Sequence, residues 1–391
     1  MSPADGAAAM DVSGEALGAP IRTSWHVRWL ALRNRVLASA RFQRWASAFP
    51  LTRPVAHRRA RALFDLCAGF VYSQILLACV ELRLFERLAE GPLTAGALAE
   101  RTGLDTEAAR RLLRAAASLG LAQSCGPDAF VLGSLGAALR GNPGIAAMVR
   151  HHTVLYRDLE DPVGLLRRPR GGTRLGAYWP YAESERPDRL ESDGIAAYTE
   201  LMADSQSLVA GDILDAYPLA AHRRLMDLGG GNGTFLSAVG ARWPHLELRL
   251  FDLPPVAERA RERFEREGLA PRARAVGGDL FRDALPEGAD VCTLVRVVHD
   301  HDDAPALAIL RAARRALAPG GVLLLAEPMS DTPGAEPVGD AYFGFYLWAM
   351  GSGRPRTAEA LGAMLREAGF SAIRERRTRR PMQTRLLVAS A

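Results

Sequence analysis

The sequence predicts an α/β protein in which a nucleotide-binding, Rossmann-like parallel sheet follows a smaller helical domain. Residues 225–234, LMDLGGGNGT, have the pattern of a buried strand that ends in a glycine-rich turn and opens a helix. Four later apolar segments are predicted to be strands that each end on a polar residue, namely Asp252, Asp279, His299 and Glu327. Because ligands bind at the carboxyl ends of strands in open parallel sheets, these side chains should face one crevice.

Length and composition indicate two domains and exclude several enzyme classes. The chain has 391 residues, is 48% hydrophobic and carries a formal net charge of +5. All 49 basic residues are arginine, which excludes Schiff-base enzymes and P-loop NTPases, because both need a lysine. The four cysteines form no CxxC pair and are interpreted as reduced core residues of a cytosolic protein. No secretory signal is visible, and no apolar run is predicted to span a bilayer.

A basic extension, assigned to residues 1–61, precedes the helical domain. Residues 21–64 hold ten arginines and no Asp or Glu, together with Trp25, Trp29 and Trp45. A basic helix with an aromatic face can lie in a membrane interface. We therefore expect either peripheral membrane contact through residues 21–64 or helices that pack on a dimer with their arginines solvated.

The helical domain, assigned to residues 62–160, has the pattern of a winged helix-turn-helix. Its two short helices are predicted to begin after the N-caps Thr94 and Asp105, and residues 130–140, FVLGSLGAALR, are predicted to form a small wing. The candidate recognition helix is not strongly basic, which argues against nucleic-acid binding. The long apolar helix that precedes it would expose more apolar surface than a monomer usually does, which favours a homodimer.

Several ordered motifs carry a family resemblance. The segments LMDLGGGNG, FDLPPV, GGDLF, VVHDHDD and LAPGGVLLLAEP resemble the S-adenosylmethionine-dependent O-methyltransferases of the plant caffeate and bacterial secondary-metabolite type. The resemblance runs from about residue 62 to the end of the chain. It implies a class I Rossmann-like methyltransferase domain, residues 161–391, after an all-helical winged-helix dimerisation domain that closes the partner's active site.

The opening segment RFQRWASAFPLTRP resembles one branch of this family, the carotenoid O-methyltransferases of purple phototrophs, which act on demethylspheroidene or hydroxyneurosporene. This implies methylation of the tertiary hydroxyl of an acyclic 1-hydroxy carotenoid in spheroidene and spirilloxanthin biosynthesis. Two alternatives stay open, a methyltransferase of phenolic, polyketide or tetrapyrrole acceptors and a winged-helix, ligand-responsive regulator. The expected location is cytoplasmic, at the periphery of the inner or photosynthetic membrane if the extension binds lipid.

The resemblance also implies a cofactor site. The residues assigned to S-adenosyl-L-methionine are Asp227, Gly229, Gly231, Asp252, Leu253, Asp279, Leu280 and Arg296. Asp252 would accept the ribose hydroxyls, Asp279 would accept the adenine amino group, and Leu280 would cover the base. A structural alternative for Asp279 is a helix cap.

The catalytic assignment is His299, Glu327 and Asp300. Imidazole has a pKa near neutrality, so His299 is the candidate general base. The resemblance implies that Glu327 orients it. In the alternative interpretation, His299 begins a helix and Glu327 is a cap. HDHDD is not expected to bind metal, because His299 and His301 are only two residues apart and no cysteine accompanies them.

The acceptor pocket is assigned to two stretches of the chain. Its predicted residues are Met202, Ser205, Phe345, Tyr346 and Met350, with Gln206 as a further candidate. Helix core is the alternative for the aromatic stretch, since spacing does not reveal which face is buried. Two positions depart from the plant enzymes: His301 replaces a tryptophan, and Pro355 in GSGRPRT stands where a second orienting glutamate would be. These departures suit an aliphatic acceptor better than a phenolic one.

Overall fold

A computed structural model of the chain describes residues 24–178, residue 206 and residues 209–391. It divides into one unit that ends at Gln74 and a second that runs from Ile75 to the C-terminus. Two predicted pocket residues, Met202 and Ser205, lie outside the described residues, and Gln206 is helical and half-buried.

Three helices make up the arginine-rich region: α1 (Trp25–Ala38), α2 (Ala40–Ala48) and α3 (Arg53–Glu81). Ser24 and Ser39 cap the first two through hydrogen bonds from backbone N–H groups. Helix α3 runs without a break through position 61, where the extension was predicted to end, so that boundary remains a proposal.

Contrary to the expectation from sequence, α3 is long and apolar enough to cross a membrane by length and composition alone. Counting unbroken apolar residues missed it, because Asp65 and Gln74 interrupt a stretch whose mean hydropathy is nevertheless 1.8.

A small domain opens the second unit. Its elements are α4 (Leu84–Glu90), β1 (Leu93–Thr94), α5 (Ala95–Thr102), α6 (Thr106–Ser118), β2 (Ala122–Ser124), β3 (Ala129–Leu132), α7 (Ser134–Arg140) and α8 (Pro143–Asp158). The predicted N-caps are confirmed: Thr94 accepts a hydrogen bond from Ala97 N, and Asp105 accepts one from Glu107 N. The domain is not all-helical, because its three strands form an antiparallel sheet in the order β1-β3-β2. The predicted wing is therefore strand β3 followed by helix α7.

The rest of the chain forms a seven-stranded sheet in the order β6-β5-β4-β7-β8-β10-β9. Its strands are β4 (Arg224–Leu228), β5 (Glu247–Asp252), β6 (Ala273–Gly277), β7 (Ala289–Val295), β8 (Leu317–Glu327), β9 (Ser371–Arg376) and β10 (Arg385–Ser390). The first five in this order are parallel, and β10 is antiparallel to both of its neighbours. The Rossmann-like α/β fold and its C-terminal hairpin are thus confirmed.

Helices cover both faces of this sheet. They are α11 (Thr234–Arg242) and α12 (Pro254–Arg266), with the helical residues 209–216, on one face, and α13 (Asp303–Ala316) and α15 (Ala358–Glu367) on the other. Three further helices, α9 (Pro162–Arg167), α10 (Arg174–Tyr178) and α14 (Gly344–Met350), form a separate small core with α8. Consecutive residues of β4 enter different cores, Leu225 on one face and Met226 on the other. Strand β4 is therefore buried on both sides, as is usual for a central parallel strand.

Strand order reverses at β4, which pairs with β5 on one side and β7 on the other. This is the point where ligands bind in such sheets. Strands β5 and β8 end at Asp252 and Glu327 as predicted. Strand β7 ends earlier than predicted, at Val295, because Arg296 has a φ of 59° and breaks the extended backbone. His299 consequently lies in a short 3₁₀ helix, Val298–Asp300.

The cysteines also differ from expectation. Cys79 and Cys292 are buried, but Cys67 and Cys125 are exposed, so only two of the four are core residues. All four are free thiols.

Candidate active site

The glycine-rich loop after β4 is tied to the end of β5. Gly229 and Gly231 have φ values of 66° and 61°, which favour glycine. A Cβ on Gly229 would lie 2.8 Å from Val297 Cγ2, whereas a Cβ on Gly231 would meet no atom within 4 Å. The backbone N–H of Gly231 donates to Asp252 Oδ2 at 2.8 Å. The loop is therefore held in place while the space beside Gly231 stays open.

Asp252 is fixed by backbone groups through both of its oxygens. Besides Gly231, Leu253 N donates to it, at 2.7 Å from Oδ1. Burial raises the pKa of Asp252 to about 6, and the two backbone hydrogen bonds oppose that rise. Each carboxylate oxygen can accept a second hydrogen bond, so Asp252 can still bind a pair of hydroxyl groups.

Asp227 carries an unused acceptor at the base of the same loop. It is 1% exposed, and its Oδ1 accepts a hydrogen bond of 2.6 Å from Thr293 Oγ1. Its Oδ2 is buried and has no hydrogen-bond partner among the described residues. Burial raises the pKa of Asp227 to about 7. The hydrogen bond from Thr293 lowers this pKa, and the negative charge of Asp252 raises it further. A buried unpaired carboxylate oxygen is costly, so this site is suited to a polar ligand group.

Gly230 lets the loop pack directly against that oxygen, a role that the sequence reasoning missed. A Cβ at this position would lie 2.6 Å from Asp227 Oδ2 and 2.8 Å from Leu250 Cδ1. The run of three consecutive glycines was the available signal, but only the two outer ones were assigned.

Asp279 and Leu280 follow β6 rather than ending it. Asp279 is 4% exposed, and its Oδ1 accepts a hydrogen bond of 2.8 Å from Phe281 N. Its own N–H donates to Asp283 Oδ2 at 2.8 Å. Leu280 is half-buried against the core of the sheet. These local bonds agree with the capping alternative, and the adenine role of Asp279 remains a prediction.

His299, Glu327 and Asp300 form a compact cluster. His299 is 7% exposed; its Nδ1 is hydrogen-bonded to Glu327, and its Nε2 lies 3.1 Å from Asp300 Oδ1. The other oxygen of Glu327 accepts hydrogen bonds of 3.1 Å and 2.7 Å from the backbone N–H groups of Val297 and Val298. Glu327 thus holds both the imidazole and the turn that carries it.

The two carboxylates decide the charge of His299. Burial by itself lowers the pKa of the imidazole, but the charges of Asp300 and Glu327, with hydrogen bonds to both, outweigh it and raise the pKa to about 10. In this arrangement the imidazole is protonated at neutral pH. Once deprotonated it is a stronger base than an ordinary histidine, because the carboxylates stabilise the imidazolium.

Arg296, the last predicted cofactor residue, links the sheet to this cluster. It precedes the 3₁₀ helix in a left-handed conformation, which costs a non-glycine residue about 1–3 kcal/mol. Its backbone N–H donates to Ala326 O at 2.8 Å. The strained conformation turns the chain from β7 into the segment that carries His299.

The predicted pocket residues on α14 do not share one environment. Tyr346 and Met350 are buried, at 5% and 0% exposure, in a small core with α8 and α10. Phe345 is 38% exposed and lies outside that core. Phe343, just before α14, contacts the His299 ring edge-to-face at 5.7 Å between ring centroids. Of the aromatic residues in this stretch, Phe343 is therefore the one in contact with the candidate base.

Two histidines on α8, which the sequence reasoning missed, contact tyrosine hydroxyls on α14 and just before it. His151 Nε2 lies 2.7 Å from the Tyr346 hydroxyl, and His152 Nε2 lies 2.8 Å from the Tyr342 hydroxyl. Burial, with a smaller effect of His152, lowers the pKa of His151 to about 4, so it is neutral at pH 7. Adjacent histidines in an apolar helix were the available signal.

His301 packs beside Phe281, with ring centroids 5.2 Å apart. Burial lowers the pKa of His301, and the negative charge of Asp300 partly offsets this decrease. Among the described residues, no group of three or more His, Cys, Asp or Glu side chains could hold a metal ion.

Comparisons with known proteins identify both halves of the chain. Residues 64–137 match an O-methyltransferase dimerisation domain, and residues 186–371 match an O-methyltransferase domain. The demethylspheroidene O-methyltransferase of Cereibacter sphaeroides is 44% identical over 87% of this chain and 89% of its own length. The protein of the same name from Rhodobacter capsulatus is 42% identical over 91% of this chain and 88% of its own length.

Solved structures agree with this match. The mitomycin 7-O-methyltransferase structure has a TM-score of 0.70 at 29% identity and covers 86% of this chain and all of its own. Human N-acetylserotonin methyltransferase, solved in complex with SAM, has a TM-score of 0.70 at 24% identity and covers 85% of this chain and 97% of its own, which shows a shared fold.

Proposed function

We propose an acceptor for this chain, which belongs to the O-methyltransferase family and is an S-adenosylmethionine-dependent O-methyltransferase. The proposed acceptor is the tertiary hydroxyl of an acyclic 1-hydroxy carotenoid. The main support for this acceptor is the 42–44% identity, over about nine tenths of the chain, to two demethylspheroidene O-methyltransferases. The cluster around His299 supports it, since the two carboxylates raise the pKa of the imidazole and make it a stronger base than an ordinary histidine. Because an aliphatic alcohol is only weakly acidic, its proton has to be removed together with methyl transfer.

The residues at the strand ends fit the cofactor. Gly231 leaves room for a ligand to approach the backbone, and Asp227 Oδ2 is a buried acceptor without a hydrogen-bond partner among the described residues. Asp252 would hold the ribose hydroxyls with the lone pairs that Gly231 and Leu253 leave free. When bound, S-adenosylmethionine supplies an electrophilic methyl group on a positively charged sulfur.

The protein's own part in the reaction is to position the acceptor and take its proton. Glu327 accepts the hydrogen bond from Nδ1–H of His299, which leaves Nε2 to receive the hydroxyl proton. The acceptor hydroxyl then takes the place of Asp300 as the partner of Nε2. The imidazolium that forms is stabilised by both carboxylates, and Phe343 packs against the ring. Positioning and proton removal together account for the acceleration that the site has to provide.

The pigments of a strain that lacks the gene test this acceptor. Loss of methoxylated carotenoids, with accumulation of their hydroxy precursors, is the expected result. Complementation with the wild-type gene is expected to restore the methoxy pigments. An unchanged carotenoid profile would contradict the proposal and direct attention to phenolic, polyketide or tetrapyrrole acceptors.

The dimerisation domain supports a homodimer, and the methyltransferase fold supports a cytoplasmic location. We further propose that the arginine-rich helices make peripheral contact with an anionic membrane. Trp25, Trp29 and Trp45 are each more than half exposed. Arg33 lies over the ring of Trp29, 5.5 Å from its centroid, which pairs charge and aromatic surface as interfacial helices do. A carotenoid substrate would have to be collected from lipid.

Vesicle flotation tests the membrane contact. Full-length protein is expected to float with vesicles containing anionic lipid and to float much less with neutral phosphatidylcholine vesicles. Deleting residues 1–52, which leaves α3 whole, removes Trp25, Trp29 and Trp45 and is expected to reduce the difference. Equal flotation of the full-length and shortened proteins would count against this contact.

A further inference from the structure

The turn that carries His299 is held from one side by a single short segment. Four consecutive carbonyl oxygens, those of Val298, His299, Asp300 and His301, all accept hydrogen bonds from residues 352–356. Ser352 Oγ donates to Asp300 O at 2.7 Å, and Arg354 N donates to His299 O at 2.9 Å. This segment is the GSGRPRT stretch in which the chain departs from the plant enzymes.

Arg356 supplies the two outer bonds. Its guanidinium donates from Nη1 to Val298 O at 3.0 Å and from Nη2 to His301 O at 2.7 Å, so it spans the whole turn. The residue is 3% exposed, and its charge is matched by Asp303, which lies 2.9 Å from Nε and 2.8 Å from Nη2. A planar guanidinium can reach all three acceptors at once, which a lysine cannot.

Gly353 lets the segment approach this closely. It has a φ of 79°, and a Cβ there would lie 2.1 Å from His299 O and 2.8 Å from Asp300 Cα. Arg170 supports the same segment from outside, since its Nη2 donates to Gly353 O at 2.7 Å and its Nη1 to Asp302 Oδ1 at 2.8 Å. The close packing leaves the turn little freedom to move away from Glu327.

We propose that Arg356 is a positioning residue, which fixes the turn between Val298 and His301 so that Nδ1 of the His299 imidazole stays on Glu327. Its Nε2, which lies beside Asp300 in the free protein, is then aimed at the position of the acceptor hydroxyl. This inference rests on the proposed role of His299 as the base. Arg356 does not touch the reacting atoms and acts only through the turn. Its loss should therefore affect turnover and the titration of His299 more than cofactor binding.

The charged and titratable groups near His299 come from three elements. Asp300 and His301 belong to its own turn, Glu327 ends β8, and Arg356 approaches from the segment before α15. Because Asp303 neutralises Arg356, the geometry of the two carboxylates dominates the basicity of the imidazole. A turn that is free to shift weakens both contacts, and the pKa of His299 should fall toward its ordinary value.

The test compares Arg356→Gln and Arg356→Lys with Arg354→Gln. Arg354 is a matched control because its side chain pairs with the same Asp303, at 2.8 Å and 3.1 Å, but reaches none of the four carbonyl oxygens. Two quantities are measured: steady-state constants with a 1-hydroxy carotenoid, and the titration of His299 in ¹⁵N-histidine-labelled protein by NMR. The NMR titration needs no turnover.

Arg356→Gln is expected to lower kcat about 100-fold, since small misplacements of a catalytic group have effects of this size. The Kd for S-adenosylmethionine should change by less than about twofold, and the pKa of His299 should fall. Arg356→Lys should lie between Arg356→Gln and wild type, and Arg354→Gln should match wild type. Should Arg356→Gln not fold, Arg356→Lys keeps the charge without the planar fork and is expected to lower kcat several-fold.

Wild-type values of both kcat and the His299 titration in Arg356→Gln would overturn the positioning role, whatever the change in Tm. The same holds for Arg356→Lys if it is the variant that can be studied. A wild-type protein that binds S-adenosylmethionine but methylates no hydroxy carotenoid would instead contradict the proposed acceptor. In that case the histidine titration alone still decides the role of Arg356.

Discussion

Replacing His299 by alanine is expected to lower methyl transfer at least 10²-fold and up to about 10⁴-fold, the range that general bases contribute. The expected cause is loss of the group that receives the hydroxyl proton, because Nε2 is the imidazole nitrogen that Glu327 leaves available. Calorimetry should show a Kd for S-adenosylmethionine close to that of wild type, since His299 is not among the residues assigned to the cofactor. His245→Ala, at an exposed histidine, is the matched control.

The pH dependence of the wild type checks the same role. A base must be deprotonated to act, and the carboxylates raise the pKa of His299 to about 10. The rate is therefore expected to keep rising between pH 7 and 9, whereas an ordinary histidine would level off above about pH 6.5. Glu327→Gln keeps an acceptor oxygen but removes one charge, so its profile should level off at lower pH. Retention of near-wild-type activity in His299→Ala would contradict the assignment.

Replacing Asp252 by alanine is expected to weaken S-adenosylmethionine binding about 100-fold or more. Hydrogen bonds to a charged group contribute about 1.5–3 kcal/mol each, and two ribose hydroxyls would lose their acceptor. The variant also leaves the N–H of Gly231 without the oxygen that it contacts at 2.8 Å, which loosens the glycine-rich loop. Isothermal titration calorimetry measures the change directly.

Asp290→Ala is the matched control for that experiment. Asp290 also accepts two backbone hydrogen bonds, from Arg223 N at 2.7 Å and Arg224 N at 2.9 Å, but it lies near the start of β7, at the opposite end of the sheet. Any loss of stability common to both variants is thereby separated from the loss of binding. An Asp252→Ala protein that binds the cofactor within twofold of wild type would contradict the ribose role.

The parts of the site that the sequence predicted are those set by local chemistry. The strand and the glycine-rich turn after it are determined by the residues of that segment alone. Asp252 and Glu327 end strands whose apolar patterns are continuous. The early end of β7 was not predictable, because the left-handed conformation of Arg296 is imposed by its surroundings rather than by arginine itself.

Contacts between residues far apart in the chain could not be predicted from the sequence. Arg356 is one of 49 arginines, and its bond to Val298 O joins residues 58 positions apart. The pairing of His151 with Tyr346 spans 195 positions. Phe345 and Tyr346 are neighbours on one helix with opposite exposure, which apolar spacing alone could not distinguish.

The central claim is tested most directly by methyl transfer from labelled S-adenosylmethionine to a 1-hydroxy carotenoid, supplied in lipid or detergent, with the product identified by mass spectrometry. A labelled methoxy carotenoid is expected from the wild-type protein, and little or none from His299→Ala at equal cofactor occupancy. A wild-type protein that binds the cofactor but labels only a phenolic acceptor would contradict this claim.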